Sequence, residues 1–291
     1  MHKAGFVNII GNPNVGKSTL MNALVGEKLS IITHKAQTTR HRIMGIASGE
    51  DYQIVYSDTP GIVHPHYKLH ESMMKFVSEA LKDADIFLLI TEIGEMIKTN
   101  EILEYILKSN IPTIVIINKI DISTQETVQT KINEWGTILP KAKIIPCSAL
   151  TGFNIDTIFN LILDMLPASL PFFDKEQITD KPLRFFASEI IREKILTTYN
   201  KEIPYCVEVS IDEFQELPNL NKISATLFVE RESQKAIVIG HNGSMLKRVG
   251  ILARTDIEHF TGKKCFLSLF VKVSDSWRNN DKVLRKFGYS N

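Results

Sequence analysis

The sequence predicts an α/β protein in which a mostly parallel sheet with interleaved helices is followed by a smaller α+β unit. Three observations carry this expectation. The 291 residues exceed the usual size of one hydrophobic core. Short apolar runs alternate with helical patterns through the first part, as parallel strands joined by crossover helices require. After two closely spaced prolines, Pro167 and Pro171, the pattern changes to alternating, half-buried strands between longer helices.

In chain order, residues 6–10, 53–56, 86–90, 113–117 and 143–145 read as strands of the first sheet. Helical spacing follows in residues 18–24, 69–81, 101–108 and 155–166. We place the first domain at residues 1–170 and a linker at 171–181. The second domain, 182–274, begins with a helix over 182–198 whose Leu183, Phe186, Ile190, Ile191 and Ile195 share a face. Residues 205–211, 225–229 and 236–239 read as its strands, then a helix over 244–260 and a strand over 265–273. Residues 275–291 are expected to form a basic tail, helical or flexible.

A hydrophobic content of 44% with 23% charged residues fits a soluble globular chain and excludes extended disorder. Cys147, Cys206 and Cys265 are far apart and outside any Cys-x-x-Cys pair, so neither a disulfide framework nor a zinc site is expected, and a reducing cytosol suits them. The start lacks signal-peptide features, and no run is long and apolar enough for a membrane span. The net charge of +1 conceals an asymmetry. Residues 1–180 carry 16 Lys+Arg against 20 Asp+Glu, a net of −4, while residues 181–291 carry 18 against 13, a net of +5. That excess admits a polyanionic partner for the second domain, or simply a solvated surface.

Gly11-Asn12-Pro13-Asn14-Val15-Gly16-Lys17-Ser18, followed by Thr19, has the form G-x-x-x-x-G-K-S between a strand and a helix. Backbone amides at a helix start cradle phosphates, Lys17 reaches the β- and γ-phosphates, and the Ser18 hydroxyl suits Mg²⁺. Asp58-Thr59-Pro60-Gly61 ends the next apolar strand, where a carboxylate can serve the same ion and the Gly61 amide can sense a γ-phosphate. Asn118-Lys119-Ile120-Asp121 follows another buried strand. The Asp121 carboxylate can accept from both the ring N–H and the exocyclic amine of guanine, a donor pair that adenine lacks. Asn118 can bridge base and phosphate loop, the Lys119 stem can cover the ring, and Ser148-Ala149-Leu150 can offer an amide to the guanine carbonyl.

These four motifs resemble the Ras-like GTPases, and Gln37-Thr38-Thr39-Arg40 is similar to the effector loop of their TrmE-Era-EngA group. The resemblance implies a P-loop GTPase domain using GTP, GDP and Mg²⁺, with an effector-loop threonine as a further magnesium ligand. Thr39 is chosen over Thr38, with little to separate them. Asn14 matches a group asparagine associated with bound K⁺ in place of an arginine finger; a turn-favouring asparagine is the rival reading. Where many relatives of Ras carry a water-orienting glutamine, this chain has Ile62, whose side chain cannot hydrogen-bond water, so hydrolysis is expected to be slow without help.

Gly240-His241-Asn242-Gly243 has the G-x-x-G form of a loop that clamps an RNA backbone, and Lys247, Arg248 and Arg254 follow on the next helix. Residues 229–250 as a whole are similar to the type II KH domain of the Era family. That likeness implies binding to 16S ribosomal RNA near its 3′ end, work on the 30S subunit in the cytoplasm, peripheral contact with the inner membrane as an open possibility, and a monomer. His241 and Asn242 stand where relatives often carry lysine with glycine, which removes a charge that phosphate binding would use. Two alternatives remain open: a nucleotide-dependent RNA-binding assembly module with negligible turnover, and a GTPase serving a transfer-RNA modification enzyme.

Overall fold

In the computed structural model, which describes residues 1–97 and 101–289, the apolar runs of the first part pair into one six-stranded sheet. The strands are β1 (Lys3–Ile10), β2 (Ile43–Ser48), β3 (Tyr52–Asp58), β4 (Ile86–Glu92), β5 (Thr113–Asn118) and β6 (Lys143–Pro146), in spatial order β2-β3-β1-β4-β5-β6. Only β2 runs antiparallel, against β3. The helices α1 (Lys17–Val25), α2 (Lys68–Lys82), α3 (Glu101–Lys108), α4 (Gln125–Ile138) and α5 (Ile155–Met165) follow β1, β3, β4, β5 and β6 in turn. β4 and β5 read as continuous apolar runs because both of their faces are covered. The parallel strand order reverses direction at β1 and β4, and that switch point opens a crevice at the carboxyl ends, where the phosphate loop begins.

Two elements of this unit escaped the sequence reading. β2 is Ile-Met-Gly-Ile-Ala-Ser, whose interior glycine hides the strand pattern; it becomes a strand because β3 offers it an unpaired edge. In α4 the only fully buried side chain is that of Trp135, so its apolar stripe is too thin to read.

The chain divides into two units by its internal contacts. The first comprises Met1–Ser30, Thr39–His64 and Met73–Asp180; the second takes Ile31–Thr38, Pro65–Ser72 and the residues from Lys181 onward. The stretch read as a linker does not hang free, because its backbone pairs with the first sheet. Phe172 and Phe173 donate to Gln53 Oε1 at 2.7 and 2.9 Å, and Ile46 donates to the Ile178 carbonyl at 2.9 Å.

The second unit contains α6 (Leu183–Thr198), the short α7 (Ile203–Cys206), β7 (Glu208–Glu216), β8 (Leu220–Val229), α8 (Glu232–Ile239), α9 (Ser244–Thr261), β9 (Lys264–Val273) and α10 (Asp281–Lys286). Its sheet runs β7-β8-β9, with β7 antiparallel and β9 parallel to β8. Ile191, Ile195, Val249, Ala253 and Ile257 pack α6 and α9 onto this sheet through one apolar cluster. Two sequence expectations are corrected here. Residues 236–239 belong to helix α8 and not to a strand. A four-residue apolar run cannot distinguish the two periods, and Gln234 decides the matter by accepting from the amides of Glu230 and Arg231 at the helix start. Gln234 and Val238, four apart, are then buried while Ile237 stays half exposed. Residues 205–206 lie in α7, so the strand starts at Glu208.

The segment after Val273 is also no loose tail. Trp277, Leu284 and Tyr289 are buried. The Trp277 indole N–H donates to the Cys206 carbonyl at 2.9 Å, and its ring meets Phe287 edge-on. Lys282, Arg285 and Lys286 remain exposed, and the last two residues of the chain lie outside the described residues. Removing so large a buried side chain leaves a cavity and an unpaired carbonyl. Trp277→Ala is expected to destabilise the second unit by about 3 to 5 kcal/mol. Urea unfolding followed by circular dichroism, with GDP present to hold the first unit's transition high, checks this; an unchanged lower transition contradicts it.

Candidate functional site

The phosphate loop turns sharply out of β1 into α1. Gly16 sits at φ 102°, and a Cβ there would lie 2.2 Å from Asn118 Nδ2, so both the conformation and the close approach demand glycine. Asn14 also adopts a positive φ, 66°. Lys17 is buried and donates to the carbonyls of Gly11 and Asn12 at 3.1 and 2.8 Å. Burial pushes its ammonium down to about 8, against the pull of the Asp58 and Glu95 carboxylates. An anionic ligand beside it would favour the charged form.

Three oxygen donors from three segments converge beside it. Ser18 Oγ donates to Asp58 Oδ2 at 2.6 Å and lies 2.9 Å from Thr39 Oγ1, which is itself 3.3 Å from the same carboxylate oxygen. Asp58 is fully buried. Burial raises its pKa, while Lys17 and the neighbouring hydroxyls oppose the shift. The Ser30 hydroxyl stands near this carboxylate without a well-formed bond to it, and Asp58 Oδ1 is left with no hydrogen-bond partner. Hard oxygen donors around a buried, under-satisfied carboxylate fit Mg²⁺. Thr38 is directed elsewhere: its hydroxyl donates to the Lys35 carbonyl at 2.6 Å and meets Thr33.

The base-binding segment is built from the ends of β5 and β6. Asn118 Nδ2 donates to the Val15 carbonyl at 2.8 Å and Asn118 Oδ1 accepts from the Ala149 amide at 2.9 Å, tying the phosphate loop to the Ser148-Ala149-Leu150 turn. Asp121 is exposed, and Ser148 Oγ donates to its Oδ1 at 2.6 Å. That bond orients the carboxylate while its other oxygen stays available. Leu150 points into solvent. Gly61 follows Thr59, whose hydroxyl donates to the Ile9 carbonyl at 2.8 Å, and the Ile62 amide reaches the Gly11 carbonyl. The Ile62 side chain packs against the apolar cluster that contains Leu89, Leu103 and Trp135.

Sequence reasoning missed three participants. The Ser148 side chain was given no part; Glu92 pairs with Lys119; and Glu95 accepts from the Asn12 side chain and from Thr91 Oγ1. Apart from the Thr91 contact four residues before Glu95, these contacts join segments distant in sequence, and nothing in the spacing betrays them.

In the second unit Gly240 takes φ 71° with ψ 174°, and a Cβ there would fall 2.6 Å from Met245 Cγ. Asn242 and Gly243 also have positive φ, so the loop makes one tight turn before α9 starts at Ser244. Beside it lies a groove of about 380 Å³ between α9 and β9. Gly243, Lys247 and Arg254 line it together with the apolar Leu246, Ile251, Leu267 and Leu269. Apolar walls that can receive bases, edged by two cations, suit a single-stranded nucleic acid. His241 and Arg248 are exposed but do not line the groove.

Residues 6–119 match the family described as 50S ribosome-binding GTPase, and residues 202–278 match the KH domain family. GTPase Era of Syntrophus aciditrophicus is 44% identical over 294 residues, covering 100% of this chain and 96% of that protein. GTPase Era of Alkaliphilus metalliredigens is 43% identical, covering 99% of each. Among solved structures, Era in complex with MgGDPNP and nucleotides 1506–1542 of 16S ribosomal RNA superposes with a TM-score of 0.96 at 40% identity, over 100% of both chains. An Aquifex aeolicus Era variant bound to GDP and aluminium tetrafluoride gives 0.95 at 40% identity, over 99% of this chain and 100% of that one. With a guanine-nucleotide site in one unit, a G-x-x-G groove in the other and such relatives along its whole length, the chain belongs to the Era family of GTPases.

Proposed function

We propose that the protein binds GTP with Mg²⁺ and hydrolyses it to GDP and phosphate. In the same reading its KH domain binds small-subunit ribosomal RNA near the 3′ end of 16S, and so assists maturation of the 30S subunit. The observation that carries this reading is the presence on one chain of both sites, in the order found in the Era protein crystallised with a GTP analogue and that RNA. In this reading the work is cytoplasmic. No helix among the described residues is long and apolar enough to cross a membrane.

Each site residue takes a role that its geometry supports. The loop from Gly11 to Thr19 offers amides to the phosphates at the amino end of α1, and Lys17 neutralises the β- and γ-oxygens. Ser18, Thr39 and Asp58 hold Mg²⁺, which neutralises charge on the phosphate oxygens when bound. The Gly61 amide addresses the γ-phosphate. Asn118 braces the base site, Lys119 covers the ring, and Asp121 reads guanine with Ser148 fixing its orientation and the Ala149 turn completing the pocket. Because Ile62 is packed into an apolar cluster, orientation of the attacking water falls to backbone groups or a partner, and a K⁺ ion held near Asn14 would supply the positive charge of an arginine finger. Gly240 to Gly243 clamp the RNA backbone, with Lys247 and Arg248 supplying charge.

Replacing Asp121 by Asn puts a donor opposite the guanine amine. Two hydrogen bonds to a carboxylate are worth about 3 kcal/mol or more together. GTP affinity is therefore expected to fall on the order of 100-fold while xanthosine triphosphate binding improves, and unchanged GTP affinity by calorimetry would sink the guanine assignment.

Hydrolysis is expected to run faster in KCl than in NaCl at equal ionic strength, and Asn14→Ala to erase the difference. Equal single-turnover rates of the parent in the two salts would remove K⁺ from the mechanism.

The paired change His241→Asp and Asn242→Asp sets two carboxylates where phosphates approach and is expected to weaken binding of labelled single-stranded RNA about tenfold or more at 0.1 M salt. GDP affinity should stay at the parental value. If the exposed Lys282, Arg285 and Lys286 attracted RNA by charge alone, their replacement by Gln would reproduce the loss and the aspartate pair would not; that result rejects the clamp.

A further inference from the structure

We propose that the outer face of β9 is a second RNA-contact surface, on which Phe266 and Phe270 receive bases of a single strand that continues beyond the G-x-x-G groove. The inference rests on the reading of that groove as an RNA site. Side chains along a strand alternate between its two sides. Cys265, Leu267, Leu269, Val271 and Val273 belong to the apolar cluster that the sheet shares with α6 and α9, or pack against it. Lys264, Phe266, Ser268, Phe270 and Lys272 therefore share the other side, where Phe266 is 61% and Phe270 53% exposed. A single exposed phenylalanine is ordinary, whereas two on one strand face form a patch. The chain itself covers the neighbouring end of this face. There the Phe287 ring lies against Phe228, the β8 partner of Lys272, with centroids 5.1 Å apart. Phe266 and Phe270 are left bare.

The surroundings of the two rings point to a polyanion with flat apolar parts. Lys264 and Lys272 flank them along β9, and Lys222 stands opposite Phe266 on β8. Lys264 lies 3.7 Å from Glu258 and is still exposed. The carboxylates of Asp212 and Glu213 are on β7, with β8 between them and β9. Because β9 is an edge of the sheet, a peptide strand could in principle pair with it. Lysines along an edge discourage such pairing, and they attract phosphates instead.

Continuity with the groove favours the same occupant. Leu267 and Leu269, on the inner side of β9, line the groove with Gly243 and Lys247. A chain leaving the groove has only the width of one edge strand, about 5 Å, to cross before it meets the rings. Four residues apart, the rings stand about 13 Å from each other along the strand. The small Ser268 between them leaves each ring room for a base. Since every base has a flat face, stacking of this kind adds affinity with little choice of sequence.

The test uses the full-length protein and two labelled RNAs. One has about four nucleotides, enough for a G-x-x-G clamp alone; the other has roughly three times that length, with the same nucleotides at its centre. Phe266→Ala with Phe270→Ala is expected to weaken the longer RNA about tenfold or more and to leave the shorter within about twofold. Phe270→Trp keeps a stacking ring and should bind as the parent does, with its fluorescence quenched by the longer RNA and not by the shorter; the native Trp135 and Trp277 are buried. Lys222→Gln with Lys272→Gln should lower the slope of log affinity against log salt by about 1.4 for the longer RNA alone. Parental affinity of the alanine pair for the longer RNA overturns the proposal and leaves a protein partner as the occupant of this face. Equal losses for both RNAs overturn it too. His241→Asp with Asn242→Asp is measured alongside. Should both RNAs bind that variant at parental strength, the groove reading fails and takes this surface with it; should it lose both while the alanine pair loses neither, only the outer surface fails.

Discussion

The nucleotide site depends on the parallel pairing of β1 with β3. Their register sets Ile9 beside Asp58, so the strand that feeds the phosphate loop and the strand that delivers the carboxylate end at the same level. The Thr59 hydroxyl fastens this alignment by donating to the Ile9 carbonyl. Every later feature of the site presupposes it. Ser18 can reach Asp58 only because α1 starts where β1 stops, and Thr39 joins them from a loop that enters the antiparallel edge strand β2. A slip of one residue would turn Asp58 to the opposite face of the sheet.

Burial gives that alignment its chemical force. Lys17 and Asp58 are withdrawn from water, and desolvation disfavours the charge on each, lowering the pKa of the lysine and raising that of the aspartate. Their mutual attraction offsets part of this cost. A triphosphate with its magnesium ion would set opposite charge beside each group and favour both charged forms. The fold also withdraws Ile62 into an apolar cluster. Its side chain therefore offers no hydrogen bond to an attacking water.

The RNA groove follows a different logic. No buried charge prepares it. The loop from Gly240 to Gly243 depends on backbone conformations that L side chains rarely adopt, and its neighbour Met245 leaves no room for a Cβ at Gly240. Leu246, Ile251, Leu267 and Leu269 line the groove beside it, together with Lys247 and Arg254. The segment after Val273 completes this domain through Trp277, which donates to the carbonyl at the end of α7 and meets Phe287 edge-on.

The sequence by itself determined the parallel α/β class, the phosphate loop, the base-reading motif and the G-x-x-G loop, because each is written in a short stretch whose chemistry is local. A run such as Gly11 to Ser18 carries its own strand, turn and helix start, and β4 and β5 announce burial by unbroken apolar residues. Tertiary structure decided what depended on partners remote in the chain. Residues 236–239 are apolar enough for a strand, and only the amides accepted by Gln234 and the burial of Val238 make them helical. Ile43–Ser48 became a strand because β3 had an open edge. Thr39 was separated from Thr38 by its distance to Ser18 and Asp58, a quantity that two adjacent threonines cannot encode. The Ser148 hydroxyl meets Asp121 and the Lys119 ammonium meets Glu92, contacts that each span 27 residues. Such pairings lie outside any local period or motif, since the folded backbone alone brings the two ends together.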